Sequence, residues 1–222
     1  MTKLFDTWPE EYERWFQTPI GQLVKKIESE LILELLKPAP GDQILDAGCG
    51  TGIFTTDILN RGTRVTGLDL SLPMLRRANS KGCARFELLQ GDMRRLPFPE
   101  GAFDKTVSIT ALEFIKDAKQ AIDELFRVTK KGGTIVVATL NRLSPWAVQR
   151  EAKGKKGHAL FSKVIFRTPK EMAALASQEG ILRTAVHFKK EEGPQRALEI
   201  EEAGKKKGLL TGAFLVVRWK KS

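Results

Sequence analysis

The chain has 222 residues, 41% of them hydrophobic and 29% charged, with a formal net charge of +10. That length suits one domain with a full core, and the composition is ordinary for a globular protein. Two cysteines, Cys49 and Cys83, exclude a disulfide scaffold and leave no zinc-ligand spacing. No apolar run is long enough to span a bilayer, and the N-terminus lacks a signal-peptide core, so a cytoplasmic protein is expected.

In chain order, the first strong pattern is a stripe of Ile20, Leu23, Val24, Ile27, Leu31 and Leu35, which predicts a helix with one apolar face. Residues 1–40 therefore read as N-terminal cap helices. From 41 to 140 short apolar runs alternate with amphipathic segments. The strands are "QILDA", "RVTGLDL", "ARFELLQ", "AFDKTVSI" and "TIVVAT". Between them lie helices over "TGIFTTDILN", "SLPMLRRANSKG" (Ser71 as N-cap, Gly82 just past the end) and "DAKQAIDELFRVTKKGG", the last stopped by its paired glycines. Such alternation implies right-handed crossovers and a parallel sheet with helices on both faces.

Residues 141–168 show weak periodicity and read as an irregular substrate lid at the sheet's carboxyl edge. A helix comes next in "TPKEMAALASQEG", with Thr168 as N-cap and Pro169 at its first position. Residues 169–222 close with two strands, "ILRTAVHF" and "TGAFLVVRW", joined by a charged connection. The expectation is one α/β domain: a Rossmann-like, seven-stranded, mostly parallel sheet whose last strand is antiparallel.

The loop "ILDAGCGTGIF" carries the chemistry. A phosphate loop needs GxxxxGK[ST], and no lysine follows these glycines. A dinucleotide fingerprint would read GxGxxG, whereas Gly48, Gly50 and Gly52 give GxGxG. Asp46, just before them, would repel a diphosphate but suit an ammonium group. Asp69 ends the second strand, where a carboxylate can accept from both hydroxyls of a ribose; the plainer reading is an acid supporting a helix start. Asp92, after the third strand, can meet an adenine amino group, or simply form a Gly-Asp turn. Together they describe adenosine carrying a cationic, carboxylate-bearing tail.

"ILDAGCGTG", "VTGLDLS", "LLQGDMRRLPFPEGAFDKTVS" and "LFRVTKKGGTIVV" resemble successive motifs of class I S-adenosylmethionine-dependent methyltransferases, within them the type 11, UbiE-like group. The resemblance runs from about Tyr12 to Thr139. It implies that Asp46, Gly48, Cys49 and Gly50 hold the methionine part of S-adenosyl-L-methionine. It puts Asp69 on the ribose, Leu70 and Met93 against the adenine, Asp92 on the adenine amino group and Thr110 under the sulfonium. The segment "EYERWFQTP" offers Tyr12 and Trp15 as a cap over the cofactor, an aromatic face being attractive to a sulfonium.

Methyl transfer is an in-line displacement, so alignment and exclusion of water dominate and a general base is needed only for a poor nucleophile. The base candidates are Glu113, His158 and Tyr12, each with a plainer reading as a pocket-shaping or exposed group; His187, in a strand, reads as structural. The chain lacks the (N/D)PP(Y/F) segment of amino-methylating nucleic-acid enzymes and the acid cluster of magnesium-dependent relatives, so no metal is expected. A small or lipid-like acceptor is left by elimination, with Leu143, Trp146, Phe161 and Phe166 as apolar lid candidates. Two alternatives remain: an RNA methyltransferase using the basic clusters "KGKKGH", "FKKEE" and "GKKKG", and a non-catalytic cofactor-binding regulator. Salt dependence separates the first from a small-acceptor enzyme. The sequence leaves the oligomeric state open.

Overall fold

A computed structural model describes residues 5–222. Two helices come first, α1 (Pro9–Gln17) and α2 (Pro19–Leu36). Pro19 presets the first turn of α2, and the Thr18 side chain accepts from Gly21 N at 3.1 Å. The core alternates β1 (Gln43–Ala47), α3 (Thr55–Leu59), β2 (Arg64–Asp69), α4 (Leu72–Asn79), β3 (Phe86–Gln90), β4 (Phe103–Ile109), α5 (Ala118–Val128) and β5 (Thr129–Leu140). The chain continues through α6 (Pro145–Lys155), α7 (Pro169–Ala173), β6 (Ile181–Ala185), α8 (Pro194–Lys206) and β7 (Phe214–Lys220).

The strands form one seven-stranded sheet in the order β3-β2-β1-β4-β5-β7-β6. β1 to β5 pair in parallel, and β7 runs antiparallel to both its neighbours, as expected of the last strand. Alternation along each strand divides the core. Ile44, Val136, Ala138, Phe214 and Val216 face α2 and α3, while Leu45, Ile135, Val137, Leu215, Val217 and Trp219 face α5 and Met172 of α7. The strand order reverses between β1 and β4, which opens a crevice beyond their carboxyl ends.

Four expectations are corrected. α5 ends at Val128, not at the paired glycines: Thr129 is extended and "TKKGG" already belongs to β5, with an irregularity in register opposite Phe103/Lys105. α7 stops at Ala173, although its start is as expected, with a Thr168/Glu171 capping box. Residues 141–168 are not irregular throughout, because Ser144 and Pro145 start α6, the serine accepting from Ala147 N at 3.1 Å. The last connection likewise contains α8. Its buried residues are Ala197, Glu201 and Gly204, a stripe of small and charged side chains that hydrophobic periodicity does not register. Glu201 accepts from His187 N at 2.8 Å and faces its Nδ1 at 3.1 Å, so this histidine docks α8 on the sheet.

Candidate active site

At the switch point lies a cavity of about 420 Å³ lined by the loops after β1, β2, β3 and β4 and by Phe5 and Tyr12 from the N-terminal segment. Its floor is the glycine loop. Gly48 has φ +81°, and a Cβ there would lie 2.4 Å from Ala111 Cβ, so the β1 and β4 loops touch only because the side chain is missing. Gly50 has φ +55° and open space where a Cβ would point. The loop is pinned by Gly48 N donating to Leu68 O at 2.7 Å and by Gly50 N donating to Asp69 Oδ2 at 2.8 Å.

The carboxylates differ in their surroundings. Asp46 is almost wholly buried; its Oδ2 accepts from Thr55 Oγ1 at 2.6 Å, and its Oδ1 has no partner among the described residues. Burial pushes this carboxyl up to about 7, against the bond from Thr55 and with help from the nearby Asp69. Asp69 Oδ1 accepts from Ser71 N at 2.8 Å, which fixes the carboxylate plane at the mouth of α4. Asp92 is gripped by Arg94, whose Nε lies 3.0 Å from Oδ1 and whose terminal nitrogen lies 2.5 Å from Oδ2; those bonds hold the carboxyl below its ordinary range despite partial burial.

Of the residues singled out from sequence, Tyr12, Asp46, Gly48, Cys49, Gly50, Asp69, Leu70, Asp92, Met93 and Thr110 all line this one cavity. Thr110 has φ +49°, an uncommon conformation for a residue with a Cβ, held where β4 leaves the sheet. Burial drives the Tyr12 phenol upward, against the opposing influence of the Thr110 side chain, so it stays protonated. Trp15 is a correction. It packs against the hydrophobic cluster beneath α2, its ring 4.7 Å from that of Phe16, and does not line the cavity. Three residues bring a helix to within about 60° of a full turn, so Trp15 lies near the face of Tyr12, and it is packing against Phe16 and the hydrophobic cluster that carries its ring away from the cavity.

The base candidates separate in the same way. Glu113 is buried and outside the cavity lining, accepting from Thr139 Oγ1 at 3.1 Å, and burial pushes its carboxyl up to about 7. His158 also lies outside the lining; its ring sits 4.5 Å from Phe161, and its Nδ1 accepts from Phe161 N at 3.4 Å. Among the apolar candidates Leu143 is half exposed, whereas Trp146 and Phe166 are buried in the core, Trp146 donating to Phe188 O at 2.6 Å. Sequence reasoning missed Phe5, which lines the cavity, and Arg94, which grips Asp92 there; it also missed the buried Glu28 of α2. Glu28 had a signal, an acid one position after Ile27 on an otherwise apolar helix stripe.

The donor set fits S-adenosyl-L-methionine. An unpartnered buried carboxyl oxygen of Asp46 suits an ammonium, the fixed carboxylate of Asp69 suits a diol, and the glycine loop keeps side chains out of the space between them. No group of three or more potential metal ligands occurs among the described residues. The class this fold and site define is the nucleoside-binding, Rossmann-like methyltransferase.

Comparison with known proteins narrows the class. Residues 45–137 match the family described as "Methyltransferase domain". The malonyl-[acyl-carrier protein] O-methyltransferase of Pectobacterium atrosepticum is 31% identical over 186 residues, 74% of this chain and 73% of the relative. The Serratia marcescens protein of the same name is 42% identical over 111 residues, but the match spans only 43% of its length. A crystal structure of a Thermotoga maritima protein described as a SAM-dependent methyltransferase, possible histamine N-methyltransferase, superposes with TM-score 0.79 and 26% identity over 100% of both chains. The chain belongs to the class I S-adenosylmethionine-dependent methyltransferases of the type 11 group.

Proposed function

We propose that the protein transfers a methyl group from S-adenosyl-L-methionine to a small or lipid-like organic acceptor. The bound cofactor supplies a methyl carbon made electrophilic by its sulfonium. In this reading Asp46 receives the ammonium end of the cofactor, Asp69 the ribose hydroxyls, and Asp92 with Met93 and Leu70 the adenine. Cys49 contributes backbone to the loop; its thiol is buried and held protonated, burial being the main cause, so it serves as no nucleophile. Tyr12 and Thr110 shape the methyl-transfer end and exclude water. The single observation that carries the reading is the convergence of the unpartnered Asp46 oxygen and the fixed Asp69 carboxylate on one glycine-floored cavity.

Residues 141–168 act as the cover of the acceptor side. Support comes from Ile165 N donating to Glu113 O at 2.8 Å and from the Arg167 guanidinium bonding the carbonyls of Leu112 and Ile115 at 2.9 and 2.8 Å, which tie this segment to the turn after β4. The Pectobacterium and Serratia relatives act on an acyl-carrier-protein-linked malonyl group, an acceptor of the small, lipid-precursor kind. No helix among the described residues is long and apolar enough to cross a membrane, and two free cysteines suit a cytoplasmic setting.

Titration calorimetry with S-adenosyl-L-homocysteine tests the cofactor assignment. Asp69→Ala removes charge-assisted hydrogen bonds worth on the order of 2–4 kcal/mol together, so affinity should fall at least tenfold. Unchanged affinity in that variant would displace the ribose from Asp69.

A further inference from the structure

Charge and apolar surface collect on one edge of the molecule that cofactor binding leaves unused. β7 begins where β5 ends, Phe214 pairing with Leu140. The turn after β5 and the turn before β7 therefore both lie at the carboxyl edge of the parallel strands, where the cavity also opens. The two turns are joined, Asn141 Nδ2 donating to Leu210 O at 2.9 Å and to Gly212 O at 2.8 Å. Each presents leucine to solvent: Leu143 is 51% exposed, Leu209 42% and Leu210 38%.

Lysines accompany these leucines. Residues 152–170, which follow Leu143 through α6, hold no acid, and neither do residues 203–222, which contain Leu209 and Leu210. Lys153, Lys155, Lys156 and Lys163 in the first stretch and Lys206 and Lys207 in the second are exposed and have no ion-pair partner among the described residues. Lys205, by contrast, is paired with Glu202 at 3.5 Å. Beyond α6 the chain folds back, His158 N donating to Lys153 O at 3.1 Å, and the His158 ring comes to 6.2 Å from that of Trp8. The Trp8 backbone in turn bonds those of Phe5 and Tyr12, two residues that line the cavity. The first lysine group therefore stands beside the cavity's N-terminal wall.

We propose that this edge docks on the surface of an anionic lipid bilayer, the leucines of the two turns entering the headgroup boundary and the lysines lying against the lipids' negative charges. Exposed apolar side chains flanked by lysines bind such an interface without crossing it, and no helix among the described residues is long and apolar enough to cross. Single-stranded RNA fits the same edge less well, because its bases need open aromatic faces. Trp146 and Phe166 are buried, and the Phe161 ring is engaged by His158 at 4.5 Å and by Arg150 at 5.9 Å. An acidic protein would match the lysines, but its charges give the leucines nothing apolar to enter. Docked in this way, the cavity opens toward the lipid, where a lipid-like acceptor is concentrated. The docking goes beyond the methyl-transfer reading and does not depend on it.

The test is co-sedimentation of the full chain with vesicles of phosphatidylcholine alone and of phosphatidylcholine with about 30% phosphatidylserine, at about 0.1 M and about 0.5 M salt. The chain should sediment with the phosphatidylserine vesicles only, and be released as salt rises. Each lysine at such a surface is worth about a fivefold change in partition, so Lys153→Gln, Lys155→Gln and Lys156→Gln together should weaken binding at least tenfold. Leu209→Gln with Leu210→Gln should weaken it about fivefold, a loss that charge attraction alone does not produce. Lys206→Gln with Lys207→Gln replaces the triple variant if a thermal melt shows that one unfolded. Equal binding to both vesicles, binding to neither, or binding unchanged in the lysine variants would overturn the docking. So would undiminished binding in the leucine variant, or displacement from the vesicles by equal charge of polyuridylate or polyglutamate. Titration of the unaltered chain with S-adenosyl-L-homocysteine reads the methyltransferase assignment separately, and its failure would leave the docking standing.

Discussion

The two ends of the cavity are built in different ways. At the cofactor end every group comes from a strand's carboxyl end or the loop just after it: Asp46 and the glycines after β1, Asp69 after β2, Asp92 and Met93 after β3, Thr110 after β4. At the other end Phe5 and Tyr12 come from the N-terminal segment and α1, and Phe114, Ile115 and Lys116 from the turn after β4. The first is a repeated use of one architectural position, the crevice at the switch point. The second is an assembly of side chains from helices laid over that crevice. The cofactor end is therefore set by backbone, and the acceptor end is free to change its chemistry without disturbing the sheet.

Several substitutions sharpen that contrast. The largest effect is expected at the backbone-defined end. Gly48→Val places a branched side chain at φ +81° and against Ala111. Strain and clash of this kind cost roughly 2–4 kcal/mol, so a denaturant titration should show a clear loss of stability together with loss of S-adenosyl-L-homocysteine binding. Normal binding in a stable variant would contradict the close contact between the two loops.

Next comes Glu28, buried on α2. Glu28 has a folded-state value raised above its unfolded one, so its contribution to stability is full below about pH 4.5 and declines as pH rises to about 8. Removing the charge with Glu28→Gln should therefore raise stability at pH 8.5, on the order of 2 kcal/mol, and change it little at pH 4.5. Thermal melts at the two pH values check this, and equal shifts at both would mean that the carboxyl is ionised and satisfied in the unliganded protein.

The smallest effect belongs to the hinge between the two regions. α1 buries no residue; Glu13 ties it to Arg77 of α4 at 2.7 Å and to Lys81, just past the end of that helix, at 3.2 Å. Bonds to these cations hold Glu13 below its ordinary range, overcoming the upward push of partial burial. Because the cations are partly exposed, Glu13→Ala should cost less than about 1 kcal/mol in stability. It should weaken S-adenosyl-L-homocysteine binding only a few-fold, in a salt-dependent way. A hundredfold loss would show that α1 contributes far more than a tether.

Much of the cofactor end is legible in the sequence because its determinants are local. A glycine that must touch Ala111, an acid closing a strand and a serine capping α4 each leave a mark within a few residues. The failures have equally specific causes. Trp15 reads as a partner of Tyr12, and helix spacing does put it on a nearby face, yet packing with Phe16 commits its ring to the hydrophobic cluster. "TKKGG" reads as a helix end because lysines and glycines favour one, yet Thr129 pairs with Phe103 of β4 and the two glycines bond the backbone of Lys221 just past β7, so the run belongs to β5. α8 stays hidden because it docks through Ala197, Gly204 and the Glu201–His187 contact instead of an apolar stripe.

By itself the sequence determined the order of the strands and of the helices between them in the core, the parallel sheet with its antiparallel last strand, and the residues that gather around one cavity at the strand ends, because period, caps and glycine spacing act over short stretches of backbone. Only the tertiary structure decided which distant side chains share a buried space. Glu28 and Glu113 become buried carboxyls with raised values only when helix packing removes water from around them, since the cost of a buried charge depends on that burial and on nothing in their local sequence.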